Sequence, residues 1–460
     1  MVYTAMIVKR ILVSTRIALV ATVFHVALTA STSGQERDRK DPVAQMRNGT
    51  PQEVETAIRS LDEELLKRDE VVGQLVLLLN DERTIRDHIF GRDIVQERAR
   101  YKLWDVKPAS VLSITRRIPE LKSNRARGLA FEAIARIGAP NDTAYSQILE
   151  YGRHEDVYVR SRAIRALSAV GDDSITTVKQ FGQFLNDPHP NVRWAVLDAL
   201  DERRDRIDSL IPAIVNLLDD NSSVYIAISN HLAMSEKLRS RAARLLARLG
   251  PDAAEALPKL RQLMDPQYDN NVRIWAAAAT CIISEAPPPD AQELLGRILL
   301  SDMDNEWADN DAPQAIEELG PLAASLLDEM EQAKKHRSPS IRWGVASAFF
   351  AVDPQSAVRR VLPMIDDQDE LVVENVIEAL SANRISDLAV IDAYIRVLDK
   401  RDGDFEQLAD YAVEALTKLG PAAQKAIPAL KRLHDEPEIS DSLREDIVRA
   451  IETINMSDNG

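Results

Sequence analysis

Lys237, Arg241, Arg244 and Arg248 recur at intervals of four, three and four in the stretch EKLRSRAARLLARLG, the spacing that sets side chains along one helical face. Such a strip could hold an acidic peptide or glycan, although an ordinary solvated face carries the same pattern. Trp194 and Trp343 each stand one place after an arginine, Arg193 and Arg342, and Trp275 stands two after Arg273. Large aromatics at matched positions either pack between neighbouring elements or, on an open face, anchor a partner. The expected partner-binding residues are therefore Trp194, Lys237, Arg241, Arg244, Arg248 and Trp343.

Catalytic chemistry has fewer candidates. The chain contains no Gly-x-Ser-x-Gly elbow, phosphate loop, Cys-x-x-Cys, His-Glu-x-x-His or Gly-x-Gly-x-x-Gly, so the usual nucleophile, phosphate and zinc arrangements are missing. Cys281, the single cysteine, lies among alanines in AAAATCIISEA and reads as a small core residue. His154, His189 and His231 fall in successive turns, but in different registers. Metal ligands must converge within about 2 Å of one ion, so no metal is expected. The acidic run SDMDNEWADND offers Asp302, Asp304, Glu306, Asp309 and Asp311. A calcium loop would need a glycine where Trp307 stands and a closing glutamate where Pro313 stands, and a solvated loop fits better. No catalytic residue and no cofactor is expected.

The elements that position these residues are written in repeated phrases. LGPDAAEALPKLRQL begins at Leu249, LGPLAASLLDEM at Leu319 and LGPAAQKAIPALKRL at Leu419. Their separations, 70 and 100 residues, are close to two and three times a unit of about 35, within the range of helical repeats. Gly250, Gly320 and Gly420 can end a helix in the left-handed conformation, and the following proline presets the first turn of the next. Between these hinges an apolar residue followed by arginine opens an amphipathic helix: Val159-Arg160, Val192-Arg193, Val272-Arg273 and Ile341-Arg342. In VRSRAIRALSAVG the apolar residues fall at helical rather than strand spacing. An aliphatic residue before proline recurs at Ile118, Ile211, Leu257, Leu362 and Ile427. Pro258 and Pro428 lie too deep past their hinges for a first turn, and should bend or restart a helix.

These phrases resemble the HEAT-repeat family, in particular the bacterial HEAT-like, PBS-lyase-type repeats that carry Leu-Gly-Pro-x-Ala. The resemblance implies units of two antiparallel helices, with a turn aspartate and a second-helix arginine forming a ladder between units. Arg160, Arg193, Arg273 and Arg342 match the family arginine, and Asp156, Asp187 and Asp269 stand in the turns before it. The turn before Arg342, KKHRSPS, has no aspartate, and the second of the three hinge phrases has Asp328 where the other two have proline. The family also includes an iron enzyme of the deoxyhypusine hydroxylase type, which depends on several His-Glu pairs; this chain has one, His154-Glu155. Bilin-lyase-type relatives keep a cofactor-handling alternative open.

Composition agrees with packed helices. Glycine numbers 16 in 460 residues, about half the usual share, and strands have little to be made from. The expected fold is all-α: an α-solenoid, a superhelix of antiparallel helix pairs of HEAT/armadillo-like type. Residues 119–456 are expected to hold about nine or ten units in one continuous stack, because each pair can bury its apolar face only against its neighbours. Residues 51–118 are expected to be divergent helical capping units, including a long polar helix over TIRDHIFGRDIVQERARYKLW, and 457–460 a disordered tail. The insertion NSSVYIAISNHLAMSE reads as a longer loop or an extra helical turn, and insertions in repeat proteins gather on one face that is often used for binding.

At the N-terminus, Lys9, Arg10 and Arg16 precede the apolar run IALVATVFHVALTA and a polar stretch with small residues. This is the shape of an export signal, and the run is short for a membrane span. Residues 1–30 are expected to be a signal peptide or an N-terminal anchor, and 31–50 a disordered linker. The formal charge is −16, and about −19 without residues 1–30, which disfavours nucleic acid as a partner. The expected protein is exported, to the periplasm, cell surface or medium. It binds a protein or peptide along the concave face of its solenoid, touches the membrane only through a possible anchor, and is not an enzyme. A structural part of an envelope assembly is the remaining alternative.

Overall fold

A computed structural model describes residues 41–456 apart from 89–90, 173, 204–206, 230–231, 285, 302–310, 401–404 and 438. The expected leader at 1–30 and tail at 457–460 lie outside the described residues. The chain divides into two units, one ending at Leu245 and the other beginning at Leu246. Each is a tandem array of antiparallel helix pairs, the architecture of an α-solenoid.

In the first unit, one layer is formed by the second helices Val95–Leu103, Asn124–Ile137, Val157–Val170 and Pro190–Asp201, with consecutive members in contact. The first helices Asp69–Leu77, Val111–Arg117, Asp142–Leu149, Ile175–Phe184 and Ile211–Asn216 form the other layer. Helix starts are set locally: Ser123, Asn141, Asp156 and Ser174 each accept a backbone N–H of the first turn, which satisfies a donor the helix itself cannot. In the layer of second helices the stripe Val159, Ala163, Ile164, Ala166, Leu167 and Val170 is fully buried. Burying each larger aliphatic side chain contributes about 1.5–3 kcal/mol.

In the second unit the three hinge phrases build one object. A second helix ends at Leu249, Leu319 or Leu419, and the glycine that follows takes φ of +64°, +55° or +55°. A seven-residue stretch of 3₁₀ turns then leads into a short α-helix: Leu257–Leu263, Leu327–Ala333 or Ile427–His434. Pro258 and Pro428 sit in the first turn of the restarted helix, where the missing N–H costs nothing. Asp328 takes the same place without a proline, so the break is made by the glycine and the 3₁₀ segment. All five aliphatic–proline pairs open a helical segment in this way.

Three expectations are corrected. Residues 42–48, placed in a disordered linker, form a helix capped by Asp41 that buries Val43 and Met46. The expected helix from 84 to 104 is instead an antiparallel hairpin, Thr84–His88 with Gly91–Ile94, followed by helix Val95–Leu103. Ile85 is buried, and its carbonyl accepts from the Gln52 amide at 2.7 Å, which ties the strand to the neighbouring helix Pro51–Arg59. The insertion after Asn221 is a second hairpin, Ser223–Ser229 with Leu232–Lys237. Both hairpins replace the turn between the first and second helix of a pair, so an otherwise helical array carries its only described strands on one edge.

Gly250 has open space around the position of an added Cβ, so Gly250→Ala tests backbone conformation alone. The expected loss is about 1–2 kcal/mol in urea unfolding, with Gly250→Asn losing less; an unchanged midpoint would show that the hinge does not need the left-handed conformation.

Candidate interaction surface

The turn edge is held by an arginine ladder that runs forward along the chain. Arg160 reaches Asp187 at 2.9 Å, Arg193 reaches Asp220 at 2.6 Å and Arg342 reaches Asp367 at 2.8 Å. Each guanidinium also donates to carbonyls of its own turn: Arg160 to His154 and Glu155, Arg193 to Asp187, Arg342 to His336 and Arg337. Each acceptor carboxylate in turn caps its own loop, taking the N–H of His189, Ser222 or Asp369. One side chain thus closes a turn, and the arginine before it fastens that turn to the preceding pair.

The partners differ from the sequence expectation at all three aspartates: the Asp187 carboxylate, in the turn before Arg193, meets Arg160 of the preceding pair instead. Asp156, in the turn before Arg160, caps its own helix through the Val159 N–H at 3.0 Å, because a residue at the N-cap points along its own helix. Arg273 donates to the Met264 carbonyl at 3.2 Å and to Asn270 Oδ1 at 2.7 Å in place of the Asp269 carboxylate. Asp220 and Asp367 were missed, since both lie 25 or 27 residues beyond their arginines. Arg239 was missed too. It donates to the carbonyls of Asp219 and Asp220, and the signal was present: LRSRA at Leu238 repeats VRSRA at Val159.

The basic strip is not a free cationic face. Lys237 ends a strand instead of lying on the helix, which starts at Leu238. Arg241 is bound by Asp198 at 2.7 Å and Asp201 at 3.4 Å, and Arg248 by Glu318 at 3.2 Å. Arg244 is half-buried. Counted from Arg127, Arg160, Arg193 and Arg239, the fifth residue onward is Glu132, Arg165, Asp198 and Arg244, a column of alternating charge on successive second helices. Burial, and Arg162 beside it, weaken the hold of Arg165 on its proton, while Asp198 and Glu132 oppose them.

Trp194 is 8% exposed. Its indole N–H donates to Glu236 at 3.0 Å, with the guanidinium carbons of Arg165 and Arg241 at 5.2 and 5.6 Å from the ring centre. It is a strut that docks the second hairpin on helix Pro190–Asp201, not an open anchor. Trp275 is buried and Trp343 half-buried. The hairpin itself offers Tyr225, 75% exposed.

Three histidines act as turn caps. Nδ1 of His154, His189 and His336 accepts the N–H of Asp156, Asn191 and Ser338 at 3.0, 3.2 and 3.0 Å. His231 and the acidic residues 302, 304, 306 and 309 lie outside the described residues, and among the described ones no cluster has the make-up of a metal site. Burial pushes the Cys281 thiol up to about 12, with Asp290 adding to the shift, so it is not a thiolate at neutral pH.

Residues 145–233 match the family model for HEAT repeats, and the fold is of that type. No curated protein matches the chain. Among solved structures, the chain is similar to importin beta at 12% identity, over 90% of this chain and 63% of that one, with a TM-score of 0.48. It is similar to Kap121p at 14% identity, with 90% and 48% covered and a TM-score of 0.39, so it spans about half of that protein. It also resembles the CpcE–CpcF complex of phycocyanin lyase from Nostoc at 16% identity, with 60% and 94% covered and a TM-score of 0.33.

Arg342 is 7% exposed, and removing one member of such a pair leaves a buried charge. Arg342→Met is expected to cost about 3 kcal/mol or more in chemical unfolding. Asp367→Asn keeps an acceptor for the Asp369 N–H and is expected to cost less, and the double variant less than the sum; strict additivity would exclude the pair. Burial raises the Asp220 carboxyl, but hydrogen bonds from Ser222 and Arg193 outweigh it and hold the group below its ordinary value. Its contribution is therefore present above about pH 4 and lost as pH falls through the lower folded value. In Asp220→Asn the acid-side loss of stability, followed by thermal melting from pH 6 to 2.5, should be shallower than in the wild type.

Proposed function

We propose that the chain is a non-enzymatic scaffold that binds a protein or peptide in the cell envelope or outside the cell, with residues 1–30 serving as signal or anchor. The observation that carries this reading is the second hairpin. It is one of two hairpins standing where the remaining described pairs have a turn, it is pinned through Glu236 to Trp194, and it holds Tyr225 out to solvent. Insertions on one face of a repeat array are where recognition usually concentrates, and an aromatic on a braced hairpin loses little freedom when a partner covers it. The basic residues first singled out serve the scaffold itself: Arg241 and Arg248 are spent on carboxylates of the same chain.

The test is capture by the tagged full-length chain from envelope, medium and cytoplasmic fractions, read by mass spectrometry, with Tyr225→Ala alongside. The expected result is one dominant protein from the envelope or medium whose recovery falls several-fold in the variant. Recovery only from the cytoplasm, or a coloured or metal-bearing preparation, would overturn the reading.

A further inference from the structure

Three arginines converge on a cleft of the second unit in which the ladder is interrupted. The cleft, of about 350 Å³, is lined by Arg261 on the first helix Leu257–Leu263, Arg273 on the second helix Asn270–Ile283 and Arg297 on the next first helix, Pro289–Leu299, together with Asp265, Asp290 and Leu294. At the corresponding position of the other three markers the guanidinium meets a carboxylate at 2.6–2.9 Å. Arg273 instead has one carbonyl and one amide oxygen. Burial first, then the neighbouring Arg297, weakens its hold on its proton, and Asp265 only partly offsets them. Asp265 also spends one oxygen on the Gln267 N–H at 3.0 Å. Arg261 and Arg297 are exposed and form no ion pair among the described residues.

We propose that this cleft binds the side-chain carboxylates of an acidic peptide segment. Guanidinium groups present paired donors that match a carboxylate's two oxygens. Arg273 lies at the inner wall, where lower exposure strengthens a charge-assisted hydrogen bond, and Arg261 and Arg297 stand at the rim. Asp265 and Asp290 leave the cleft with an excess of one positive charge. That suits carboxylates spaced along an extended peptide and works against a dense polyanion such as nucleic acid. The proposal rests on the peptide-binding reading above but uses a different part of the chain.

The probe is fluorescein-labelled hexaglutamate, titrated with the full chain by anisotropy at low and high salt, against a Gly-Ser hexapeptide and a labelled single-stranded oligonucleotide. Saturable binding of hexaglutamate, weakened by salt and absent for the Gly-Ser peptide, is expected. Arg261→Glu and Arg297→Glu should each weaken it about tenfold, while Arg116→Glu, an exposed arginine of the first unit, should leave it unchanged. Both cleft substitutions are at exposed positions, and unaltered melting curves would confirm that they fold. Equal binding by the Arg116 and cleft variants, no saturable binding, or preference for the oligonucleotide would overturn the proposal. Tyr225-dependent capture without hexaglutamate binding would remove the cleft alone and leave the scaffold standing.

Discussion

A pair of short helices cannot bury its own apolar stripe, and every other feature of this chain follows from that shortage. Val159, Ile164 and Leu167 are completely buried only because the helices on either side of Val157–Val170 cover them. Apolar contact alone would let neighbouring pairs slide or rotate, since it has no direction. The forward ladder of Arg160–Asp187, Arg193–Asp220 and Arg342–Asp367 supplies the direction. Each arginine has several donors in a fixed fork, which it divides between a carboxylate of the next turn and carbonyls of its own. The distance and the angle between consecutive pairs are thereby set by one side chain.

The parts of this arrangement that were legible in the sequence are those encoded within about a dozen residues. Gly-Pro after an apolar helix end specifies a left-handed stop and a new start, and all three phrases obey it at Gly250, Gly320 and Gly420. Val-Arg at a helix start was equally local. The hairpins were not legible from periodicity, because TIRDHI sets Ile85 and Ile89 at a helical spacing of four and SVYIAIS is a continuous apolar run, which periodicity alone does not assign to a strand. Gly91 and the β-branched residues around it carried the signal. Asp41-Pro42 likewise spelled a capped helix start inside what was read as a linker.

Charge was the least legible property. Arg241, Arg244 and Arg248 share a helical face by spacing alone, yet Arg241 finds its carboxylate 43 residues earlier and Arg248 finds one 70 residues later. A local window cannot see acceptors at such separations, so a neutralised face and a binding strip look alike. The alternation of Glu132, Arg165, Asp198 and Arg244 becomes visible only when successive helices are laid in register. Trp194 belongs to the same problem: its position after an arginine suggested an anchor, and the Glu236 that occupies its N–H comes from an insertion 42 residues away.

Among the markers at Arg160, Arg193, Arg273 and Arg342, what differs at Arg273 is that no carboxylate meets its guanidinium among the described residues and two further guanidinium groups share its cleft. At Arg160 and Arg342 the following turn supplies one and closes on the guanidinium, and both groups leave solvent together. At Arg273 the nearest side-chain acceptor is an amide oxygen, and a second guanidinium, Arg297, is its electrostatic neighbour. A half-buried cation with a neutral acceptor is still charged, so the field that elsewhere is cancelled inside the ladder extends into the cleft. Among the four apolar-arginine markers the same residue type therefore serves cohesion at three and faces a cleft at the fourth, while Arg127 and Arg239, in the same register, meet amide or carbonyl oxygens.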